Sequence, residues 1–298
     1  MAKYNKTNKT TEELVSSLKE KGLIISNNAK AINYIRNIGY FRLKAYFYPL
    51  YKEPKHKHLF KQEASFDKLM NMYRFDRKLR LLLFNEIEKI EVSFRSTLAN
   101  MVAEETGNIF WITDSSIFAN SNKYNKTIEL IDKELKGSKE DFILHFKNKY
   151  SNPYPPAWML VEILPLGIVT RIFENIKSNS LKKKIAARYE LPAPVLTSWL
   201  TVITLTRNSC CHHSRVWNRI YAVTPMIAKK LSRPWINNCI SPLKTFYDIC
   251  IIKWFIDILS PNNDMKEHLL SLIRAYPNVD VKAMGFPDQW EEEPLWSK

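Results

Sequence analysis

Glycine is scarce in this chain, with 6 among 298 residues, and proline is moderate at 15. A turn-rich β fold needs more of both, so the shortage favours helices. No stretch reads as a strand and no repeat recurs. A Gly-rich phosphate loop and a G-x-S-x-G nucleophile elbow are both missing, which argues against NTPases and α/β-hydrolases. The four cysteines stand at 210, 211, 239 and 250 without a CxxC pair. Cys210-Cys211-His212-His213 is written like a zinc set, but four successive helical residues diverge instead of converging. Neither a disulfide framework nor a structural zinc is expected. No apolar run reaches the ~18 residues of a membrane span, and the N-terminus has no apolar signal core. These absences predict a reduced, cytoplasmic protein with no membrane contact and no cofactor.

What is present in excess is positive charge. The formal net charge is +15, and such a surface attracts an anionic polymer. Bases gather at Lys52 to Lys61, at Arg74, Arg77, Lys78 and Arg80, and at Lys182, Lys183, Lys184 and Arg188. The tail from Ala275 runs the other way, with five acids against two bases, which leaves +18 on the residues before it. Glu291, Glu292 and Glu293 of that tail either lie over the basic surface or, as the stronger expectation, form a solvated terminus.

Helical periodicity recurs along the chain. Residues 1–9 are polar and read as loose. Thr10 and Glu13 form a capping box for a short helix with Leu14, Leu18 and Leu23, ending near Gly22. Ala29 to Arg36 is a second helix. Ser65 suits the N-cap of a long helix from Phe66 to about Glu104, with a core stripe at Leu79, Leu82, Leu83, Ile87, Ile90, Phe94 and Leu98. Helices follow at Tyr124 to Tyr150 and Pro156 to Leu164. Pro165 forces a break, and Gly167 to Ser178 resumes. A short basic helix, Ser180 to Tyr189, precedes an apolar one from Pro194. Phe246 to Leu259 and Met265 to Ala275 complete the set. The predicted class is all-α, with an N-terminal helical extension over 1–64, a helical domain over 65–232, and C-terminal helices with an acidic tail over 233–298.

The apolar helix from Pro194 runs into Arg207-Asn208-Ser209-Cys210-Cys211-His212-His213-Ser214-Arg215-Val216-Trp217-Asn218-Arg219. At ~100° per residue, Asn208, His212, Arg215 and Arg219 would share a sector of ~60° on one helix face. A histidine beside fixed positive charge, with no carboxylate in the run, suits chemistry on a phosphodiester. Arginines hold the phosphate and offset charge in the transition state, and the imidazole moves the proton. His212 is read as that proton carrier rather than as a core histidine. Arg207 is read as a phosphate clamp or as the partner of a glutamate such as Glu162 or Glu91. Asn208 orients a neighbour or caps local backbone, while His213, Trp217 and Asn218 read as structural. Glu91 and Arg95, four residues apart, form either a simple intrahelical pair or a brace for this Arg/His face. Arg42 and Lys44, among the aromatics of Ile38 to Tyr51, admit base stacking. A packed aromatic corner is the stronger reading there.

The form R-N-x-x-x-H resembles the signature of HEPN ribonucleases, an Arg followed by four to six residues and then His. Ile38 to Leu50, I-G-Y-F-R-L-K-A-Y-F-Y-P-L, is similar to the GYYRLSGYWYPF corner of the Abi-like abortive-infection proteins of the Abi-D and Abi-F type. Phe75 to Leu98 resembles their D-x-x-L-R-x-L-L helix with its E-x-I-E-x-x-x-R ending. Pro155 to Gly167 resembles their P-x-W-M-x-x-E segment, and Leu205 to Arg219 their L-R-N-x-C-x-H-H-x-R-x-W-N-R segment. Pro165 departs from the hydroxyl residue more usual in that family.

The resemblance implies an all-α HEPN-like bundle that pairs as a homodimer, with one R-x4-H motif from each copy at a shared cleft. It implies an endoribonuclease of phage defence or of a toxin–antitoxin system, associated in the Abi-F type with a neighbouring non-coding RNA. Arg207, Asn208 and His212 would be catalytic. Arg215, Arg219, Arg42, Lys44 and Lys183 would contact RNA, and Glu91, Arg95 and Glu162 would support the site. The different class kept beside it is a non-catalytic module that holds a structured RNA.

Overall fold

Thr10 and Glu13 cap each other reciprocally. The Thr10 hydroxyl accepts the Glu13 N–H at 3.2 Å, and the Glu13 carboxylate accepts the Thr10 N–H at 2.6 Å. The computed structural model, which describes Lys3, Asn5, residues 7–237 and residues 239–297, starts α1 (Thr11–Glu20) there. There follow α2 (Asn28–Ile38), α3 (Tyr40–Lys44), α4 (Phe66–Thr106), α5 (Ser121–Gly137), α6 (Asp141–Lys149) and α7 (Ala157–Ile163). The series ends with α8 (Leu166–Asn175), α9 (Asn179–Ala187), α10 (Ala193–Cys211), α11 (Thr245–Leu259) and α12 (Met265–Ala275). Among the described residues there is no strand, only isolated bridge pairs. The fold is all-α. No helix among the described residues is long and apolar enough to cross a membrane. The expectation of a loose start over residues 1–9 falls in part on Met1, Ala2, Tyr4 and Lys6, which lie outside the described residues.

Boundaries follow local chemistry. Ser65 opens α4, its hydroxyl accepting the Lys68 N–H at 3.2 Å. Pro165 separates α7 from α8 and serves as the N-cap of the latter, because its ring and missing N–H cannot continue a helix. The single helix expected over Tyr124 to Tyr150 is instead two. Gly137 ends α5, and Ser138 is extended at φ −70°, ψ 133°; glycine gains least from staying helical.

The chain forms two compact units. The first comprises Met1–Leu79 and Leu269–Val281, and the second Arg80–His268 and Lys282–Lys298.

In the first unit, Leu43, Tyr46, Phe47 and Tyr51 are buried. Phe60 meets Phe47 edge-on at 5.5 Å and Tyr51 at 4.9 Å. The Tyr46 hydroxyl donates to the fully buried Asp76 carboxylate at 2.5 Å. This is the packed corner. Phe41 and Tyr48, from the same run, stay outside it.

In the second unit, Leu83, Ile87, Ile90, Phe94 and Leu98 of α4 have no exposed surface. Leu82, expected in that stripe, is only half-buried, because the buried positions advance by four, three, four and four residues from Leu83 and leave it to one side. Trp199 of α10 lies against Trp254 of α11 with ring centroids 6.0 Å apart, and the Trp254 indole N–H donates to the Tyr189 carbonyl at 3.0 Å. The acidic tail corrects the expectation of a solvated terminus. Trp290, Leu295 and Trp296 are buried, with Trp296 against Phe246 of α11. Glu293, 5% exposed, accepts the Asn237 N–H at 2.6 Å. Apolar burial of two tryptophans outweighs the solvation of the acids between them.

Candidate functional site

The second unit lays the Arg207–Ser214 segment along α4. At one end Arg207 Nε lies 3.1 Å from Glu91 Oε2. At the other, Arg80, 5% exposed, donates to the Ser214 carbonyl at 3.4 Å. Eleven residues separate Arg80 and Glu91, three helical turns, so both point from one side of α4. The other Glu91 oxygen pairs with Arg95, whose second nitrogen donates to the Val161 carbonyl of α7. Glu91 and Arg95 are nearly buried, while the Arg207 side chain keeps 29% of its surface exposed. One carboxylate shared by two guanidiniums leaves one positive charge uncompensated. Arg207, the more exposed of the two, carries it toward solvent.

Helix α10 stops within the motif. His212 is its C-cap at φ −85°, ψ 8°, and His213 takes the left-handed conformation at φ 55°. The Ser214 N–H returns to the Ser209 carbonyl at 2.8 Å and the His213 N–H to the Cys210 carbonyl at 3.1 Å. These two bonds make a complete Schellman ending, which satisfies carbonyls that a bare terminus leaves open. Val216 and Trp217 then enter the core, and the Thr245 hydroxyl donates to the Val216 carbonyl at 3.2 Å.

The ~60° helical sector is therefore corrected. Asn208 and His212 do share a face, with the His212 N–H bonded to the Asn208 carbonyl at 3.0 Å, and both are exposed. Arg215 and Arg219 lie past the helix end. Arg219 is folded locally: Nη1 donates to the Arg215 carbonyl at 3.4 Å, and the guanidinium sits 5.0 Å from the Tyr221 ring centroid.

Glu162 pairs with neither arginine; it is exposed on α7 and lines a concavity with Lys133, Lys139 and Glu140. Lys183 lies on α9 beside Pro192 and Thr197, at the opposite end of α10 from His212. From Thr197 to His212 that is on the order of 20 Å of helix. Arg42 and Lys44 belong to the first unit, where both are exposed on α3.

Three residues near the motif were not anticipated. Arg80 bonds to Ser214 as described. The Tyr221 hydroxyl donates to Ser209 Oγ at 3.0 Å, and burial raises its pKa. Asp248 of α11 is 5% exposed, and burial pushes its carboxyl up to about 8. Of the two acids in the apolar run Phe246 to Leu259, Asp257 has Lys253 four residues before it and Asp248 has no base at helical spacing within the run, which was a usable signal, since burial of a carboxyl without a base beside it raises its pKa. Among the described residues no group of three or more His, Cys, Asp or Glu side chains is placed to hold a metal ion.

Neither a curated protein nor a solved structure is detectably similar to the chain. The family model of the Abi-like protein, however, matches residues 33–218. The match runs from within α2 through the aromatic corner, α4 and α10 to the residue after Trp217, more than half of the sequence. The chain belongs to the Abi-like protein family.

Proposed function

We propose that this chain is an abortive-infection ribonuclease of HEPN type, which cuts RNA at its Arg207–His212 motif without a metal. The observation that carries the reading is the shared Glu91 carboxylate. It fixes a partly exposed Arg207 five residues before an exposed His212 that caps the end of α10. In this reading the ribose 2′-oxygen forms a bond to phosphorus and the bond to the 5′-oxygen breaks. His212 takes the 2′-hydroxyl proton, and a second acid returns a proton to the leaving 5′-oxygen. Arg207 faces the charge that builds on the phosphorane-like transition state. Products carry a 2′,3′-cyclic phosphate and a 5′-hydroxyl.

One motif supplies one imidazole of this kind, so the second proton carrier is the partner's His212 in a two-fold homodimer. Support for that assembly is the exposed apolar stripe of α4. Leu81 is 59% exposed, Phe84 37% and Val92 55%. Their spacing of three and eight residues puts them within about 80° of one another on one side, with Leu81 and Val92 roughly 80–120° and Phe84 roughly 20–40° from Glu91 and Arg80. A bound non-coding RNA would regulate the pair, as the Abi-F resemblance implies.

The same Arg207–Glu91 ion pair also fits a second reading, a module that only holds RNA, in which Arg207 stays tied to its carboxylate.

Purified full-length protein incubated with single-stranded RNA in EDTA separates the two. Cleavage to cyclic-phosphate ends that disappears in His212→Ala supports the ribonuclease. Products with 3′-hydroxyl ends rule out 2′-OH attack. RNA binding without turnover favours the holding module.

A further inference from the structure

The first unit carries exposed groups that the Arg207–His212 motif does not use. Phe41 is 86% exposed and Tyr48 62%, although Leu43, Tyr46 and Phe47 between them are buried. Phe41 lies on α3 and Tyr48 begins the short 3-10 turn Tyr48–Leu50 that follows it. Seven residues of nearly continuous helical backbone set the two rings on one side, about 10 Å apart. Lys44 and Ala45, between them, are also exposed. Lys55 places its ammonium 4.1 Å from the Tyr48 ring centroid.

The charge around these rings is one-sided. Residues 40–61 contain Arg42, Lys44, Lys52, Lys55, Lys57 and Lys61 against a single acid, Glu53. An apolar protein partner would have to bury this charge beside the rings. A single nucleic-acid strand matches both features, because it offers unpaired base faces and one phosphate per base. A duplex keeps its base faces stacked and offers only the charge.

We propose that this surface of the first unit binds single-stranded nucleic acid, with bases stacked on Phe41 and Tyr48 and phosphates held by Lys44 and Lys55. The rings lie about 10 Å apart, so they take two bases of the strand rather than clamp one between them. The proposal uses no residue of the Arg207–His212 motif and stands whether or not that motif cleaves RNA.

The test is fluorescence anisotropy on full-length protein, with a labelled 2′-O-methyl oligo-U of about 12 nucleotides and a duplex of equal length. The 2′-O-methyl groups prevent cleavage by 2′-OH attack, so the readout is binding alone. Phe41→Ala and Tyr48→Ala should each weaken oligo-U binding about tenfold. Duplex binding should stay within about twofold, since it depends on charge. Phe41→Trp should keep or tighten oligo-U binding. Lys44→Gln with Lys55→Gln should flatten the logarithmic salt slope by about 1.4, from about 0.7 per phosphate contact on a single strand. Unchanged oligo-U affinity in the two ring variants overturns the proposal. So does an equal loss on duplex, or a Phe41→Trp protein as weak as Phe41→Ala. Ring variants that change only self-association by light scattering would instead make the surface a protein contact, and would also overturn it.

Discussion

Arg207 and Glu91 are 116 positions apart in sequence and 3.1 Å apart in space. The contact ties the end of α10 to the middle of α4. Its two partners are unequal, because Glu91 also holds Arg95 and is far more buried than Arg207.

That inequality sets the expected stabilities. Glu91→Ala leaves Arg95 buried without its carboxylate and should cost about 3–5 kcal/mol. Arg207→Ala leaves the Glu91–Arg95 pair intact and should cost no more than about 1 kcal/mol, since the lost side chain is partly solvated. Urea unfolding of the two variants checks this. If Arg207→Ala unfolds as readily as Glu91→Ala, Arg207 is a structural residue first.

Activity and packing should separate cleanly along the same pair of helices. His212→Ala should abolish RNA cleavage while melting like the parent, because its side chain is exposed and exposed substitutions rarely destabilise. Leu83→Ala should cost about 2–5 kcal/mol through lost burial, and the half-buried Leu82→Ala clearly less. Thermal melts of the three proteins give the comparison.

The Schellman ending makes a prediction about His213. Its φ of 55° suits glycine, and a β-branched residue there is strained. His213→Val should be less stable than His213→Gly by about 1–2 kcal/mol. Both variants lose the imidazole, so the difference isolates the backbone. Cleavage by His213→Gly should persist and that by His213→Val should fall, as the strained turn shifts His212.

Asp248 couples stability to pH. Its folded-state pKa of about 8 lies above the ordinary carboxylate value, because burial disfavours the charged form. Between about pH 4 and 8 the folded protein holds a proton that the unfolded chain has lost. Stability attributable to this group is therefore full below pH 4, declines as pH rises and levels off above 8. Asp248→Asn should remove that slope and raise stability at pH 8 by a few kcal/mol relative to the parent. Calorimetric melts at pH 5 and pH 8 test it; a substitution effect equal at both values would show that Asp248 does not titrate in this window.

Most helices were legible because their signals are local. Ser65, Pro165 and the Thr10–Glu13 box each act within a few residues, and α12 begins and ends where its periodicity does. The end of α10 was not legible. Nothing in Cys210 to Ser214 names a helix stop, since the left-handed position that usually carries glycine carries His213. The stop serves the burial of Val216 and Trp217, a tertiary demand. The Glu91 brace could be narrowed to two glutamates but not chosen, because helix spacing says which face a side chain is on and not which helix comes to meet it. The tail misled through composition: three consecutive acids mask the two tryptophans around them, which decide where the segment goes.

The second unit is completed by Lys282–Lys298, and this has a consequence for the order of synthesis. The ribosome releases His212 about seventy residues before it releases the segment whose tryptophans cover Phe246. At 5–20 residues per second that interval is about 4–14 s. A nascent chain therefore displays the finished motif sequence while its unit is still open. A protein that attacks RNA would thus become competent only after its own translation has moved past the motif.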